Sequence, residues 1–334
     1  MQIDFYTTII DNYGDAGFSF NLAISLSYYY PKLKIRFFCD NEKIFLSLKG
    51  NKVFQNVKYF DLKDVSKYKS SKLIFNFFDK KIDFEFLHKF NYDIKLINFS
   101  YFLLHSGVGN LHNTKYNSKD IEVIHYIPSL LQKGGGIIIN PYLEDFKNKI
   151  NIKNTIKLKQ ELLPNLDKNL YDKKWISIFC YKETFENIKD IILNDKDNLY
   201  FVFDNNLSGE NIINMGFLNI LDYYKFQNLC DKNIVRGENS LINSILSGKP
   251  FLWDIYKENN SAHKEKIEDF SKYILSNFGD NFLDYLNIFK EFNIGNTKKG
   301  FIDFLNYEND FEIIKKDIFL KNNLINNLEK YLNQ

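Results

Sequence analysis

The chain of 334 residues carries 44 Lys and Arg against 42 Asp and Glu, a formal net charge of +2. That balance excludes a broadly basic nucleic-acid surface, and the length suits two ordinary domains better than one. With 33 Phe and 22 Tyr the chain has ample material for a core. The cations are nearly all Lys and Asn is abundant, which reads as compositional bias of the source. Cys39, Cys180 and Cys230 lie far apart and form no CxxC or zinc-like cluster, and their odd count argues against a disulfide framework. The first ten residues lack a basic n-region and contain Asp4. No apolar run approaches the roughly 18 residues of a membrane span. The expectation is a cytoplasmic protein with no membrane and no nucleic-acid partner.

Residues 3–10 read as a strand that runs straight into DNYGDAGFSFNLA, residues 11–23. Asp11 and Asp15 flank a glycine there, four residues apart, and share a face if the segment is already helical. Ligands of open α/β sheets bind at such carboxyl ends of strands. Gly14 and Gly17 permit a positive φ or a close approach. The same letters also suit a tight turn with an Asp helix cap. A helix follows over 18–30, then strands over 34–39, 72–77, 94–98 and 122–125, with a glycine turn entering an apolar run at 133–139. This βαβ rhythm predicts a parallel sheet covered by helices.

Residues 142–174 turn strongly polar, and a domain boundary is expected there. The pattern then restarts. Strands are predicted over 175–179, 199–203, 233–236 and 250–253, and helices over 184–193, 221–229, 238–246 and 261–275. Two successive α/β units point to two Rossmann-like domains. Neither GxGxxG nor GxxxxGK[ST] occurs, so hydride transfer and P-loop hydrolysis lose their usual support.

In the second half IVRGENS, residues 234–240, ends a strand, turns at Gly237 and opens a helix whose N–H groups form a natural phosphate site. Arg236 adds charge nearby and Ser240 a hydroxyl donor, while Glu238 fits only beside a ribose hydroxyl, a cation or an amide. A plain Asn239/Ser240 cap with Glu238 favouring the helix dipole accounts for the same letters. Tyr181 ends the strand WISIFCY, where its hydroxyl is placed to meet a sugar or phosphate. Phe179 and Phe217 are candidates to sandwich a nucleobase, although generic phenylalanines are core residues. Asp195-Lys196-Asp197 has the letters of a metal-binding DxD but reads as a solvated loop. His105, His112 and His125 show no metal-ligand spacing, and the lone His263 begins a helical stretch. No metal is expected.

Taken together, DNYGDAGFSFNLA, LINFSY (96–101), the stretch 128–138, SIFCYKE (177–183), VRGENS (235–240) and GKPFLWDIYKENNSAHKEKIEDF (248–270) resemble, in order, the protein-arginine rhamnosyltransferases of elongation factor P maturation, the EarP family. The chain departs from that pattern at Ser100, where the family typically has Glu. It departs again at Asn239, where the family has Asp, at Ile220, which aligns with a pocket Gln, and at Asp254, Lys257 and Glu258, in place of His, Pro and Gln.

The resemblance implies a GT-B glycosyltransferase architecture, two Rossmann-like α/β domains facing across a cleft. Residues 1–155 would form an acceptor-side domain, 156–172 a linker and 173–318 a nucleotide-sugar-binding domain, with a helix over 319–334 packing across both. It implies inverting transfer of rhamnose from dTDP-β-L-rhamnose to an arginine nitrogen of translation elongation factor P, without a cofactor. The family's catalytic acids correspond to Asp11, Asp15 and Glu238. Its donor pocket corresponds to Phe179, Tyr181, Phe217, Glu238, Asn239 and Ser240, beside Arg236 and Gly237. A GT-B transferase with another sugar nucleotide or acceptor, and a catalytically silent relative that docks on the factor, are the competing readings. Ser100, Ile220 and Asp254 keep the first of these open.

Overall fold

The computed structural model describes residues 1–9, 12–78, 81–90, 93–118, 121–151, 153–257, 262–309 and 311–332. The chain forms two compact units, Met1–Tyr142 with Ile318–Gln334, and Leu143–Asp317.

The first unit is built on seven strands: β1 (Gln2–Thr7), β2 (Lys34–Cys39), β3 (Val57–Asp61), β4 (Leu73–Phe77), β5 (Lys95–Phe99), β6 (Lys115–Ser118) and β7 (Ile121–Tyr126). Their order is β3-β2-β1-β4-β5-β7-β6, parallel except for the antiparallel β6–β7 pair at one edge. Residues 3–7 of β1 and all of β4 are buried, as expected for parallel strands covered on both faces. One face is an aromatic layer in which Phe5 lies 5.1 Å from Phe75 and Phe77 stacks on Phe99 at 4.9 Å. The other carries Tyr6, Phe38, Ile74, Leu96 and Val123. Asp4, fully buried on β1, is held by two Arg36 guanidinium nitrogens at 2.7 and 2.8 Å and by the Ser71 N–H and hydroxyl at 2.8 Å each. A buried charge persists only when its lone pairs are satisfied in this way.

The helix Asn12–Tyr29 follows β1 and is buried along most of its length between the sheet, the helix Glu42–Lys49 and the helix Leu324–Leu332. Burial on all sides removes the polar face that a surface helix needs. The segment over 318–334 belongs to the first unit. Ile137 donates its N–H to the Asn322 carbonyl at 2.7 Å and accepts from Leu324 at 2.8 Å. Gly136 permits this approach: its φ is +81°, and a Cβ there would lie 2.4 Å from the Asn322 carbonyl oxygen.

The second unit holds β8 (Lys174–Ile178), β9 (Asn198–Phe203), β10 (Ile212–Met215), β11 (Lys232–Arg236) and β12 (Phe251–Asp254), all parallel in the order β10-β9-β8-β11-β12. That is the 3-2-1-4-5 winding of a Rossmann-like half, and the first unit repeats it with the β6–β7 hairpin added. Residues 156–172, expected as a linker, are built into this unit through the helix Thr155–Leu162. Lys159 there is 5% exposed, its ammonium 4.4 Å from the Trp175 ring centroid and donating to the Tyr171 and Lys173 carbonyls. A long lysine stem covering an indole reads as polar in sequence and behaves as core in the fold.

Candidate functional site

In each unit the winding reverses beside the first strand, between β1 and β4 and between β8 and β11. The carboxyl ends at such a reversal are where α/β sheets hold ligands. In the first unit the chain leaving β1 is tied down by the Ile9 N–H donating to Asp40 Oδ1 at 3.1 Å. Asp15 lies in the first turn of the helix Asn12–Tyr29 and is 4% exposed. A carboxylate there is favoured by the helix dipole. Gly14 and Gly17 are helical and do not form a turn, and a Cβ on Gly14 would meet no atom within 4 Å. Asp11 lies outside the described residues, as does Glu258.

In the second unit β11 ends at Arg236, and Gly237 turns the chain with φ +71°, ψ 160° into the helix Glu238–Ser247. That φ requires glycine. Gly237 has no side chain to cap the helix, so its first turn offers backbone N–H groups to an anion. Arg236 does not project alone toward this helix start. Its guanidinium carbon lies 4.5 Å from the Phe179 ring centroid and 5.1 Å from that of Tyr181. One nitrogen pairs with Asp204, and another donates to the Cys180 carbonyl at 3.5 Å. Arg236 therefore reaches across the end of β8 to the end of β9.

Asp254, the cross-strand partner of Arg236 at the end of β12, spans the same ground in the opposite sense. It accepts the Tyr181 N–H at 2.7 Å and the Thr184 hydroxyl at 2.9 Å. This fixes the start of the helix Lys182–Asn194, whose N-cap Tyr181 makes no side-chain cap bond. Burial pushes the Asp254 carboxyl up to about 6, against those two donors and the charges of Lys257 and Arg236. Next to it Tyr181 meets Tyr256 edge-on at 5.3 Å.

The structure thus brings Phe179, Tyr181 and Arg236 together. Ser240 joins them through Tyr223, whose hydroxyl donates to Ser240 Oγ at 3.3 Å and whose ring lies 6.0 Å from Phe179. Burial raises the Tyr223 phenol, keeping it a neutral donor. Glu238 has the cation it needs: Lys266 Nζ is 3.7 Å from Oε1. Asn239 follows in the same first turn. Phe217 lies in the connection after β10 and is 51% exposed, while Ile220 is buried at the start of the helix Ile220–Leu229. Sequence reasoning missed Asp204 entirely and noted Asp254 only as a departure. The available signal was position, since both stand at the carboxyl edge of the sheet.

Asp195, of the DxD letters, accepts from the Asp197 N–H at 2.8 Å, the Asn198 amide at 2.7 Å and the Tyr200 hydroxyl at 2.5 Å. It organises a turn. No cluster of three metal-ligating residues occurs among the described residues, and no described helix is long and apolar enough to cross a membrane. A depression of about 590 Å³ lined by Asp172, Lys174, Asp197 and Glu308 lies at the amino ends of β8 and β9, the edge of an α/β sheet that does not hold its ligands.

The family model for "Elongation-Factor P (EF-P) rhamnosyltransferase EarP" matches residues 3–333. A protein-arginine rhamnosyltransferase of Pseudomonas putida is 49% identical over 41 residues, 12% of this chain and 11% of that protein. One of Pseudomonas aeruginosa is 41% identical over 49 residues, 15% of this chain and 13% of that protein. The matched stretches thus span under a sixth of either relative. A solved structure concerning EarP-mediated arginine glycosylation of translation elongation factor EF-P superposes with a TM-score of 0.63 at 15% identity, covering 99% of this chain and 98% of the other. The likeness in fold is the GT-B pattern of two Rossmann-like units.

Proposed function

The chain belongs to the elongation-factor-P rhamnosyltransferase EarP family, and from it we propose inverting transfer of rhamnose from dTDP-β-L-rhamnose to an arginine nitrogen of translation elongation factor P. The observation that carries this reading is the family match across residues 3–333. The paired switch points, with a carboxylate at one and a helix start at the other, support it.

Arginine is cationic in water and its delocalised nitrogens are poor nucleophiles. Glycosylating it needs carboxylates that grip the guanidinium fork and take a proton as the bond forms. Asp15 is assigned as that base, with Asp11 of the same motif as its orienting partner. As the C–N bond forms at the anomeric carbon, the bond to the diphosphate oxygen breaks on the opposite side. The electron pair leaves with dTDP, and the guanidinium proton goes to Asp15. The helix start at Glu238, with Ser240 and Tyr181, takes up charge growing on the departing diphosphate. Glu238, steadied by Lys266, is the third acid. Phe179 and Phe217 are assigned to the base of the nucleotide.

A second reading, a related transferase with a different sugar nucleotide, is favoured by Ile220. It stands buried where the resemblance expects a glutamine that contacts the thymine ring.

The test is the intact mass of the organism's own elongation factor P after incubation with purified enzyme and dTDP-rhamnose. A gain of one deoxyhexosyl residue on a single arginine supports the reading. No gain, with both proteins folded and the donor intact, moves the assignment to another sugar or acceptor. Asp15→Asn is expected to lose transfer by about 100-fold or more while still binding donor. Near-normal turnover would remove Asp15 from the role of base.

A further inference from the structure

Asp204 follows the last residue of β9 and has φ +56°, one of three non-glycine residues with a positive φ among those described. Asp tolerates this left-handed conformation better than most residues, but it remains uncommon and marks a place where the surroundings dictate the backbone. The turn aims the carboxylate over the end of β8 to pair with Arg236. The neighbouring Asn205 repeats the gesture, donating its amide toward the Cys180 carbonyl at 3.5 Å. That carbonyl also receives the Arg236 guanidinium at 3.5 Å. The ends of β9, β8 and β11 are therefore laced together over Phe179, Cys180 and Tyr181.

An exposed ion pair contributes little to stability, and the Asp204 side chain is 58% exposed. Stability alone gives no reason for a left-handed aspartate here. Orientation does. Arg236 is a long side chain with several rotamers, and holding its far end keeps the planar group over the two aromatic rings before any ligand arrives.

We propose that Asp204 is a positioning residue for the nucleotide pocket: it fixes Arg236 across the 179–181 turn and so preorganises Phe179 and Tyr181. The inference rests on the assignment of this pocket to the donor nucleotide.

Two variants separate positioning from structure. Asp204→Gly removes the carboxylate and relieves the left-handed backbone, whereas Asp204→Asn retains a residue that tolerates it. Calorimetric titration with dTDP is expected to show affinity about five- to tenfold weaker in both, with the melting temperature of Asp204→Gly unchanged or raised. Hydrogen exchange, which needs no ligand, is expected to quicken in the peptide spanning 179–185 and nowhere else outside the 204 turn. Equal or tighter dTDP binding in both variants overturns the inference, because Asp204 would then merely compete for Arg236. Unchanged exchange at 179–185 overturns it whichever nucleotide the protein binds. Failure of the unaltered enzyme to bind dTDP, with exchange still quickened in the variants, overturns the donor assignment and supports the positioning role.

Discussion

Asp254 is a carboxylate drawn out of water by the sheet that positions it, with a carboxyl pushed up to about 6 by burial. A carboxyl whose folded value exceeds its unfolded one binds protons more readily in the folded state. Its contribution to stability is full below the unfolded value near 4 and is lost as pH rises through about 6. Asp254→Asn should therefore flatten the pH dependence of stability between those limits. Relative to the variant, the unaltered protein should lose at most about 3 kcal/mol across the window. Urea titrations of both proteins at a series of pH values would measure it, and parallel curves would show that Asp254 does not titrate there. At this scale the sequence spoke unevenly. Glu238 beside Gly237 was visible because strand, turn and helix are contiguous. Asp254 bonding to Tyr181 was not, because the two lie 73 residues apart and meet only through strand order. The partners of Arg236 were hidden for the same reason, since they come from β8 and the residue after β9.

Among the elements, the helix Thr297–Leu305 ends in a way that propensity does not explain. Its last carbonyls are met from the sheet by Lys232, which is 4% exposed and donates to Phe304 at 3.0 Å, Leu305 at 2.6 Å and Tyr307 at 2.7 Å. Burial lowers the pKa of this ammonium, but three carbonyl oxygens at a helix C-terminus suit a cation. Lys232→Met keeps the stem and removes the donor, stranding those oxygens. The expected loss is about 2–4 kcal/mol, read as a shift of the urea midpoint; a shift near zero would show that water replaces the ammonium. Central strands such as β2 and β11 were legible as apolar runs with turn signals at their ends. The strands that escaped, β3, β6 and β10, each sit at or beside a sheet edge and span four or five residues. Half-exposed, their sequences VKYFD, KYNS and IINM carry no strong period.

For the molecule as a whole, two α/β units were legible in the sequence, and the compact units of the structure are divided at other points. Composition pointed to the polar stretch 156–172, yet the division falls after Tyr142 and again after Asp317. Both points lie inside helices, Pro141–Lys147 and Glu312–Lys321, where no loop-like composition marks a change. The return of the chain is held by specific bonds. The Asn322 amide donates to the Leu130 carbonyl at 2.7 Å, the Asn327 amide to Gly135 at 3.1 Å, and the Tyr331 hydroxyl to Asn113 at 3.0 Å. Deleting residues 318–334 should cripple the first unit and spare the second. Both tryptophans, Trp175 and Trp253, lie in the second unit, so their fluorescence should keep its unfolding transition while far-UV circular dichroism loses amplitude. Loss of the fluorescence transition as well would show that the units fold as one.

That return also sets a timetable. A ribosome delivers the seven strands of the first sheet before the second unit, but the helix Leu324–Leu332 and the partner of Ile137 only after it. The second unit, encoded between them, is complete before the first can close. During synthesis, the nascent helix Asn12–Tyr29, with its apolar flanks, must wait while a whole second domain is made. Such a waiting surface is the kind that chaperones shield. The helix that carries Asp15, the proposed base, is fully packed only once residues 318–332 have been made.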